Sequence, residues 1–461
     1  VGAAPPSVDL NGPANPGTDY TVNFSTPGPG SVLVTDATAT IDDPDSTHLR
    51  WLEAVLTARP DGDGNERLIV ATLPASLIQL YDPTTGVLRI EGTGPVPKAD
   101  FITALQNLQY QNDLVFPSLT SRSIQVYVND GYTTSAIATA TVNILGGLSP
   151  SVDLNGPDPG TDYTTTLPVG NTQVGIVDPN MTVTDPDSLV LAGATITITN
   201  LLDGSGESLD VNVGATGISK NYNAATGTLT LSGLATVANY QTVLRTLVYQ
   251  NTAMFPTRTT RQITVVVTDG YTSSNIAMAF VNFAPNTLPT VDLNGPGSGT
   301  NTTVQYQTPG PNQVVLAPSA QIIEDSNHLL YVELVLTNRP DGSNEGLNLV
   351  GSLPGGLSWT YNPVTFTGRI QGPGIKADFE TALRQVVYFN NAVLPNLTTR
   401  AIQVVAHDGY GAGGSSTAAV VFLGGATPSL DLNGGGPGND YVVTVATPGP
   451  VNVAVVDASA T

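Results

Sequence analysis

Apolar residues fall at every second position in three matching stretches: Ile124, Val126 and Val128, then Ile263, Val265 and Val267, then Ile402, Val404 and Ala406. That period sends alternate side chains to opposite faces and predicts a half-buried strand in each. Each strand runs out at an Asp-Gly-Tyr triplet, 130–132, 269–271 and 408–410, and a further strand such as 136–144 follows. An earlier strand alternates Ala194, Ile196 and Ile198 with three threonines, and its counterparts carry Leu52, Ala54, Leu56 and Val332, Leu334, Leu336. Asp61-Gly62, Asp203-Gly204 and Asp341-Gly342 come next and predict a hairpin turn. A second turn at Tyr81-Asp82-Pro83, Tyr222-Asn223 and Tyr361-Asn362-Pro363 leads into another short strand. Only once per cycle does the period become helical, as in Phe101, Ala104, Leu105, Leu108 and in Tyr240, Val243, Leu244, Leu247. A helix that short is held by packing, and Asp100, Asn239 and Asp378 are its candidate caps.

The cycle is strict. Tyr110 and Tyr249 stand 139 residues apart, as do Tyr249 and Tyr388, and a fixed period marks a tandem array. Each cycle opens on one phrase: Val8-Asp9-Leu10-Asn11-Gly12-Pro13 returns at 152–157 and 291–296, and again as Leu430-Asp431-Leu432-Asn433-Gly434. The Asn-Gly and Gly-Pro steps break regular structure, so these openings are the expected junctions. They give repeats at 1–148, 149–287 and 288–427, with the opening strands of a fourth at 428–461. Short strands, frequent turns and one helix per cycle predict an all-β chain of tandem antiparallel β-sandwiches. The fourth opening leaves unpaired strand edges, which ask either for a continuation of the chain or for a neighbouring subunit. The start, Val-Gly-Ala-Ala-Pro-Pro, reads as a processed or truncated end.

Composition narrows the function. Each repeat is long enough to hold its own core, and charged residues make up only 11% of the chain. A formal net charge of −22 speaks against nucleic acid, whose binding needs Lys and Arg to neutralise phosphates. It equally denies a basic patch to an anionic membrane, and no apolar run is long enough to span one. With no cysteine, disulfides, thiol catalysis and zinc-thiolate sites are excluded.

Several phrases resemble the immunoglobulin/cadherin-like tandem repeats of very large secreted proteins. They are Asp185-Pro186-Asp187-Ser188, Thr199-Asn200-Leu201-Leu202-Asp203-Gly204, Tyr222-Asn223-Ala224-Ala225-Thr226-Gly227 and Tyr240-Gln241-Thr242-Val243-Leu244-Arg245. Such repeats occur in giant bacterial adhesins and in mastigonemes, the hair-like filaments of flagella, and the likeness is greater to the second. The resemblance implies Ig/cadherin-like sandwiches in a fibrous, glycosylated extracellular polymer without a catalytic role. One departure stands in the third repeat, where Ile323-Glu324-Asp325-Ser326 replaces Asp43-Pro44-Asp45-Ser46 and puts a cation site there in doubt.

Carboxylates are the candidate chemistry. Asp9, Asp153, Asp292 and Asp431 sit at the junctions, Asp43/Asp45 and Asp185/Asp187 form Asp-x-Asp pairs, and Asp130, Asp269 and Asp408 end a strand near a domain pole. Oxygens pooled from a linker and two loops suit Ca2+, which extracellular modules hold at about 10⁻⁴–10⁻³ M; the resemblance implies that the ion stiffens the joint. The competing reading is turn chemistry, since Asp bonds its own backbone at turns. Asp61-x-Asp63-x-Asn65 starts like an EF-hand loop, yet Glu66 and Thr72 stand where Gly and Glu are required, so a turn is the better reading. Asn23, Asn180, Asn301 and Asn396 fit the N-glycosylation pattern. By resemblance, Pro-rich turns such as Thr26-Pro27-Gly28-Pro29 carry O-linked sugars. Catalysis is the poorest reading: His48, His328 and a solvated His407 are the only histidines, and no nucleophile–base set can be assembled. The expected function is a structural subunit of an extracellular filament whose partners are copies of itself; the rival is a calcium-stiffened adhesin stalk.

Overall fold

The computed structural model describes residues 4–424, 429–445 and 452–460. The chain forms two units, Val1–Ala284, which holds the first two repeats, and Pro285–Thr461. The first repeat comprises β1 (Ser7–Asp9), β2 (Tyr20–Phe24), β3 (Gly30–Leu33), β4 (Thr40–Asp42), β5 (His48–Leu56), β6 (Glu66–Val70), β7 (Ile78–Asp82), β8 (Val87–Pro97), α1 (Lys98–Gln106), β9 (Leu108–Asn112), β10 (Arg122–Asn129) and β11 (Ala138–Ile144). A six-stranded sheet, β2-β11-β10-β5-β8-β7, faces a three-stranded sheet, β3-β9-β6, while β1 pairs with β4. The same order recurs from Ser151–Asp153 to Ala277–Phe283 and from Thr290–Asp292 to Ser416–Leu423.

Alternation explains the core. In β10 Ile124, Val126 and Val128 are buried and the residues between them are not; they meet Leu52, Ala54 and Leu56 of β5 and, from the opposite sheet, Leu68, Val70 and Tyr110. Equivalent residues form a separate core in each of the other repeats. The apolar face of α1, Phe101, Ala104 and Leu105, closes the same core.

Several expectations shift. The sandwich is antiparallel except at one edge, where β2 lies parallel to β11; the whole repeat connects them, which a parallel pair allows. Asp61-Gly62 is no hairpin, because β5 and β6 belong to different sheets and the turn carries the chain between layers. Asp100, Asn239 and Asp378 are not caps. The strand runs straight into each helix, so Pro97, Thr236 and Ile375 take the N-cap position, and in the second helix (Val237–Leu244) the Thr236 hydroxyl accepts from the Asn239 amide at 3.1 Å. Asp100 and Asp378 stand in the first turn, where a carboxylate suits the helix dipole. His407 is not solvated but half-buried, its ring stacked on Tyr331 at 4.8 Å. Of the fourth opening, residues 429–445 and 452–460 are described; they repeat the Asp431 turn but contain no strand. In the complete repeats the strand after this turn pairs with the closing strand of its own repeat.

Candidate metal centre and the joint it adjoins

Each complete repeat gathers acidic side chains at one pole. The loop after β4 brings Asp43 and Asp45 to Asp130 at the end of β10, and in the second repeat Asp185 and Asp187 meet Asp269; one oxygen from each carboxylate lies within 4.8 Å of the others. That separation matches oxygens ranged around one Ca2+ at 2.3–2.6 Å. The loops are built so that one oxygen stays committed and another free. Asp185 Oδ1 accepts from the amides of Asp187 (3.2 Å) and Ser188 (2.9 Å), leaving Oδ2 buried without a partner, and Asp187 Oδ1 is likewise unpartnered. In the first repeat Asp43 is 5% exposed, with Oδ1 bonded to the amides of Asp45 and Ser46 and Oδ2 unpartnered. A buried carboxylate oxygen facing other carboxylates is costly unless a cation or proton joins it. Burial raises the pKa of Asp185, and the Asp269 charge adds to the rise. The donor set therefore fits a hard divalent cation.

The second site also touches the preceding repeat. Asp187 Oδ2 accepts from the linker amides of Gly146 (3.1 Å) and Leu148 (3.0 Å). The Asp269 loop, held by its carboxylate on the Tyr271 and Thr272 amides, drives the Tyr271 ring edge-on against Phe116 of the first repeat at 5.6 Å. The Tyr271 hydroxyl donates to the Pro117 carbonyl at 3.0 Å. Gly270 has φ +103°, and a Cβ there would meet Phe116 Cε1 at 2.3 Å, so only glycine lets the loop approach this closely. Burial pushes the Tyr271 hydroxyl up to about 12.

The third repeat builds its pole differently. Its loop is one residue shorter, and Glu324 reaches the place of Asp43: Oε1 accepts from the Ser326 amide at 3.1 Å and Oε2 is buried and unpartnered. Asn286 Nδ2 donates to Asp408 Oδ2 at 2.6 Å, and the Thr287 backbone amide donates to Asp325 Oδ2 at 2.8 Å. Burial, then the facing carboxylates of Asp325 and Asp408, raise Glu324 to about 7. The native state therefore holds this proton more tightly than the unfolded chain, and in chelator the stabilisation is full below pH 4.5 and is lost as pH rises to about 7. Thermal unfolding against pH should show this slope, and Glu324→Gln should flatten it.

A second acidic constellation escaped the sequence reading. Arg122, fully buried, bonds Glu66 through Nε at 3.0 Å and also pairs with Asp61. Asp61 in turn accepts from Asn112 (2.8 Å) and the Ser118 amide (2.8 Å). Arg261 with Asp203 and Glu207, and Arg400 with Asp341 and Glu345, repeat the set, with Tyr249 and Tyr388 donating to the glutamates. Burial opposes ionisation of Asp61 and Asp203, but hydrogen bonds and the guanidinium hold both below the usual carboxylate range; burial raises Glu66. The signal was present: each arginine falls in phase with the buried stripe of its strand, a position no solvated charge would take.

The junction aspartates stand apart from the clusters. Asp9 Oδ1 accepts from the Asn11 and Gly12 amides, and Asp153 and Asp292 likewise accept from Asn155 and Asn294, which is turn chemistry. Asn23, Asn180, Asn301 and Asn396 are all exposed. Asn301 Oδ1 accepts from the Thr417 amide at 2.7 Å, as Asp19 and Asp162 do from Thr139 and Met278.

The geometry defines a tandem array of β-sandwich repeats with acidic poles. No known protein-family model matches the chain. A stretch of 78 residues, 16% of the chain, is 44% identical to halomucin of Haloquadratum walsbyi (strain DSM 16790 / HBSQ001) and spans 1% of that protein's length. Among solved structures the chain is similar to protocadherin gamma B2 extracellular cadherin domains 3-6, at 11% identity over 91% of this chain and 73% of that one, with a TM-score of 0.30. It is similar also to the human desmocollin-1 ectodomain, at 13% identity over 93% and 64%, with a TM-score of 0.23. Among the described residues no helix is long and apolar enough to cross a membrane.

Proposed function

We propose that this chain is a load-bearing, non-enzymatic part of an extracellular structure, its repeats at 1–148, 149–287 and 288–427 acting as beads locked end to end. The observation that carries this is the joint in the first unit, where Asp187 grips the linker and Tyr271 seats on the neighbouring repeat. A flexible string would need none of these contacts. Ca2+ at Asp43/Asp45/Asp130 and Asp185/Asp187/Asp269 would neutralise the poles and hold the Asp269 loop in place; Asn23, Asn180, Asn301 and Asn396 offer exposed sites for glycans.

The finer reading is a mastigoneme-like filament in which copies associate sideways. It is favoured by the edge strand β7, where Ile78 and Leu80 are 61% and 72% exposed, since an apolar strand edge invites pairing with another chain. The acidic joints alone would equally serve the stalk of an adhesin. Electron micrographs of native material separate the two: bundled multi-chain fibres support the filament, thin single strings support the stalk. Compact particles without an elongated axis would remove both.

A further inference from the structure

The first repeat leaves one strand edge unguarded. β7 is the last strand of the six-stranded sheet; among the described residues it pairs with β8 on one side and with no strand on the other. Its outward side chains, Ile78 and Leu80, are 61% and 72% exposed. Alternation fixes both outward, because their neighbours tie the strand down from below. Gln79 bonds the Val70 amide at 2.8 Å and the Val70 carbonyl at 3.1 Å, and the Tyr81 hydroxyl donates to the Glu66 carbonyl at 3.2 Å. On the outer face Leu80 lies beside Arg89 and Ile78 beside Glu91. Arg89 is bonded to Glu53 at 2.6 Å and to Glu91 at 3.0 Å, so these charges already have partners.

The other two repeats blunt the same edge. Ser219–Asn223 and Ser358–Asn362 take the place of β7. In register, Ser219 and Asn221 stand for Ile78 and Leu80 in the second repeat, and Ser358 and Thr360 do so in the third. The second edge also carries Lys220, bonded to the Val211 carbonyl at 2.6 Å, and a lysine on an edge strand discourages pairing. End-to-end packing does not decide whether this edge is covered. β7 is open while the second repeat sits on the Phe116 loop of the first, and Ser219–Asn223 is open while the first repeat sits on the acidic pole of the second.

We infer that β7 pairs antiparallel with β7 of a second copy, two-fold symmetric about Gln79, and joins the two six-stranded sheets edge to edge. This register sets Ile78 opposite Leu80 of the second copy and Leu80 opposite its Ile78, closing an apolar stripe of four side chains. Each cross-strand row then runs from Arg89 and Leu80 of one copy to Ile78 and Glu91 of the other, with opposite charges at its ends. Sliding by two residues sets Asp82 opposite an isoleucine or Ser76 opposite a leucine, and puts like charges at the ends of the central row. Sliding by one turns the apolar pair to the wrong face. Because β7 is already held in place, little ordering opposes the contact. An isologous contact closes at two copies. The inference rests on the sideways association of the proposed filament and names its contact.

The test uses the full chain in Ca2+ with sedimentation velocity up to about 1 mM, the range suited to a contact smaller than the roughly 1,000 Å² of a stable interface. The average mass should rise from one copy to two and stop. Salt should strengthen the pairing, because it screens the net charge of −22 that each copy carries. Ile78→Lys, which gains Glu91 as a neighbour in the free chain, should weaken pairing by about tenfold or more. Asn221→Lys on the second edge should change nothing. The register has its own readout, since the chain has no cysteine. Directly opposite residues of an antiparallel pair have Cα atoms about 4.5–5.5 Å apart, within disulfide reach, while diagonal ones lie about 7–8 Å apart. Ile78→Cys mixed with Leu80→Cys should therefore cross-link under mild oxidation about tenfold faster than either variant alone. A chain that stays monomeric, an Ile78→Lys variant that pairs like the wild type, or a mixture that cross-links no faster overturns the inference. Multi-chain fibres in micrographs of Ile78→Lys protein would overturn it as well, yet leave the filament standing.

Discussion

Arg261→Met lowers the stability of the second repeat by about 3–5 kcal/mol, the expected result of stranding buried Asp203 and Glu207 without their cation. In thermal unfolding this is a fall of about 6–20 °C. The loss is large for two reasons. Arg261 is fully buried, and it satisfies two carboxylates and the Thr257 carbonyl at once. Its removal also frees the loop that Asp203 pins through the Thr257 amide. A triple change, Arg261→Met with Asp203→Asn and Glu207→Leu, removes the charges together and should recover much of the loss, because a buried ion set is often no more stable than apolar residues of its size. If Arg261→Met alone unfolded at the wild-type temperature, the network would have no role in stability.

How far the sequence was legible depends on which property carried each feature. Strands such as 124–128 and 263–267 were legible because alternation is a property of the strand itself. The acidic poles were half-legible. Asp43, Asp45 and Asp130 were named with Asp9, yet all four precede turns, and only the fold separates the three that converge from the one that closes its own turn. The arginine network was missed because its members lie far apart in the chain, Asp61 and Arg122 by 61 residues, and because Asp61-Gly62 looked sufficient as a hairpin. The Tyr271 seat was invisible for a different reason: a tyrosine after Asp-Gly reads the same whether docked, as at 271, or exposed, as at 132.

Removing divalent cations should weaken the first unit more than any single surface substitution. In that unit two trios of carboxylates each converge within 4.8 Å, and burial, with the Asp269 charge adding to it, raises the pKa of Asp185. A cation that binds only the folded form adds RT ln(1 + [L]/Kd), which at about 10 mM Ca2+ and a Kd of about 10⁻⁴–10⁻³ M is about 1.4–2.7 kcal/mol per site. Calorimetry should show the first unit unfolding about 3–10 °C lower in chelator for each site emptied. The variant that isolates charge from structure is Asp187→Asn. Its amide oxygen still accepts from Gly146 and Leu148, so the linker stays gripped while the second site loses one negative ligand. The calcium response should then shrink by about the contribution of one site, with the metal-free stability unchanged or raised, because like-charge repulsion is relieved. An unfolding temperature indifferent to both calcium and chelator, in protein whose Tyr271 contact is intact by spectroscopy, would refute the cation site and leave the poles as plain turns.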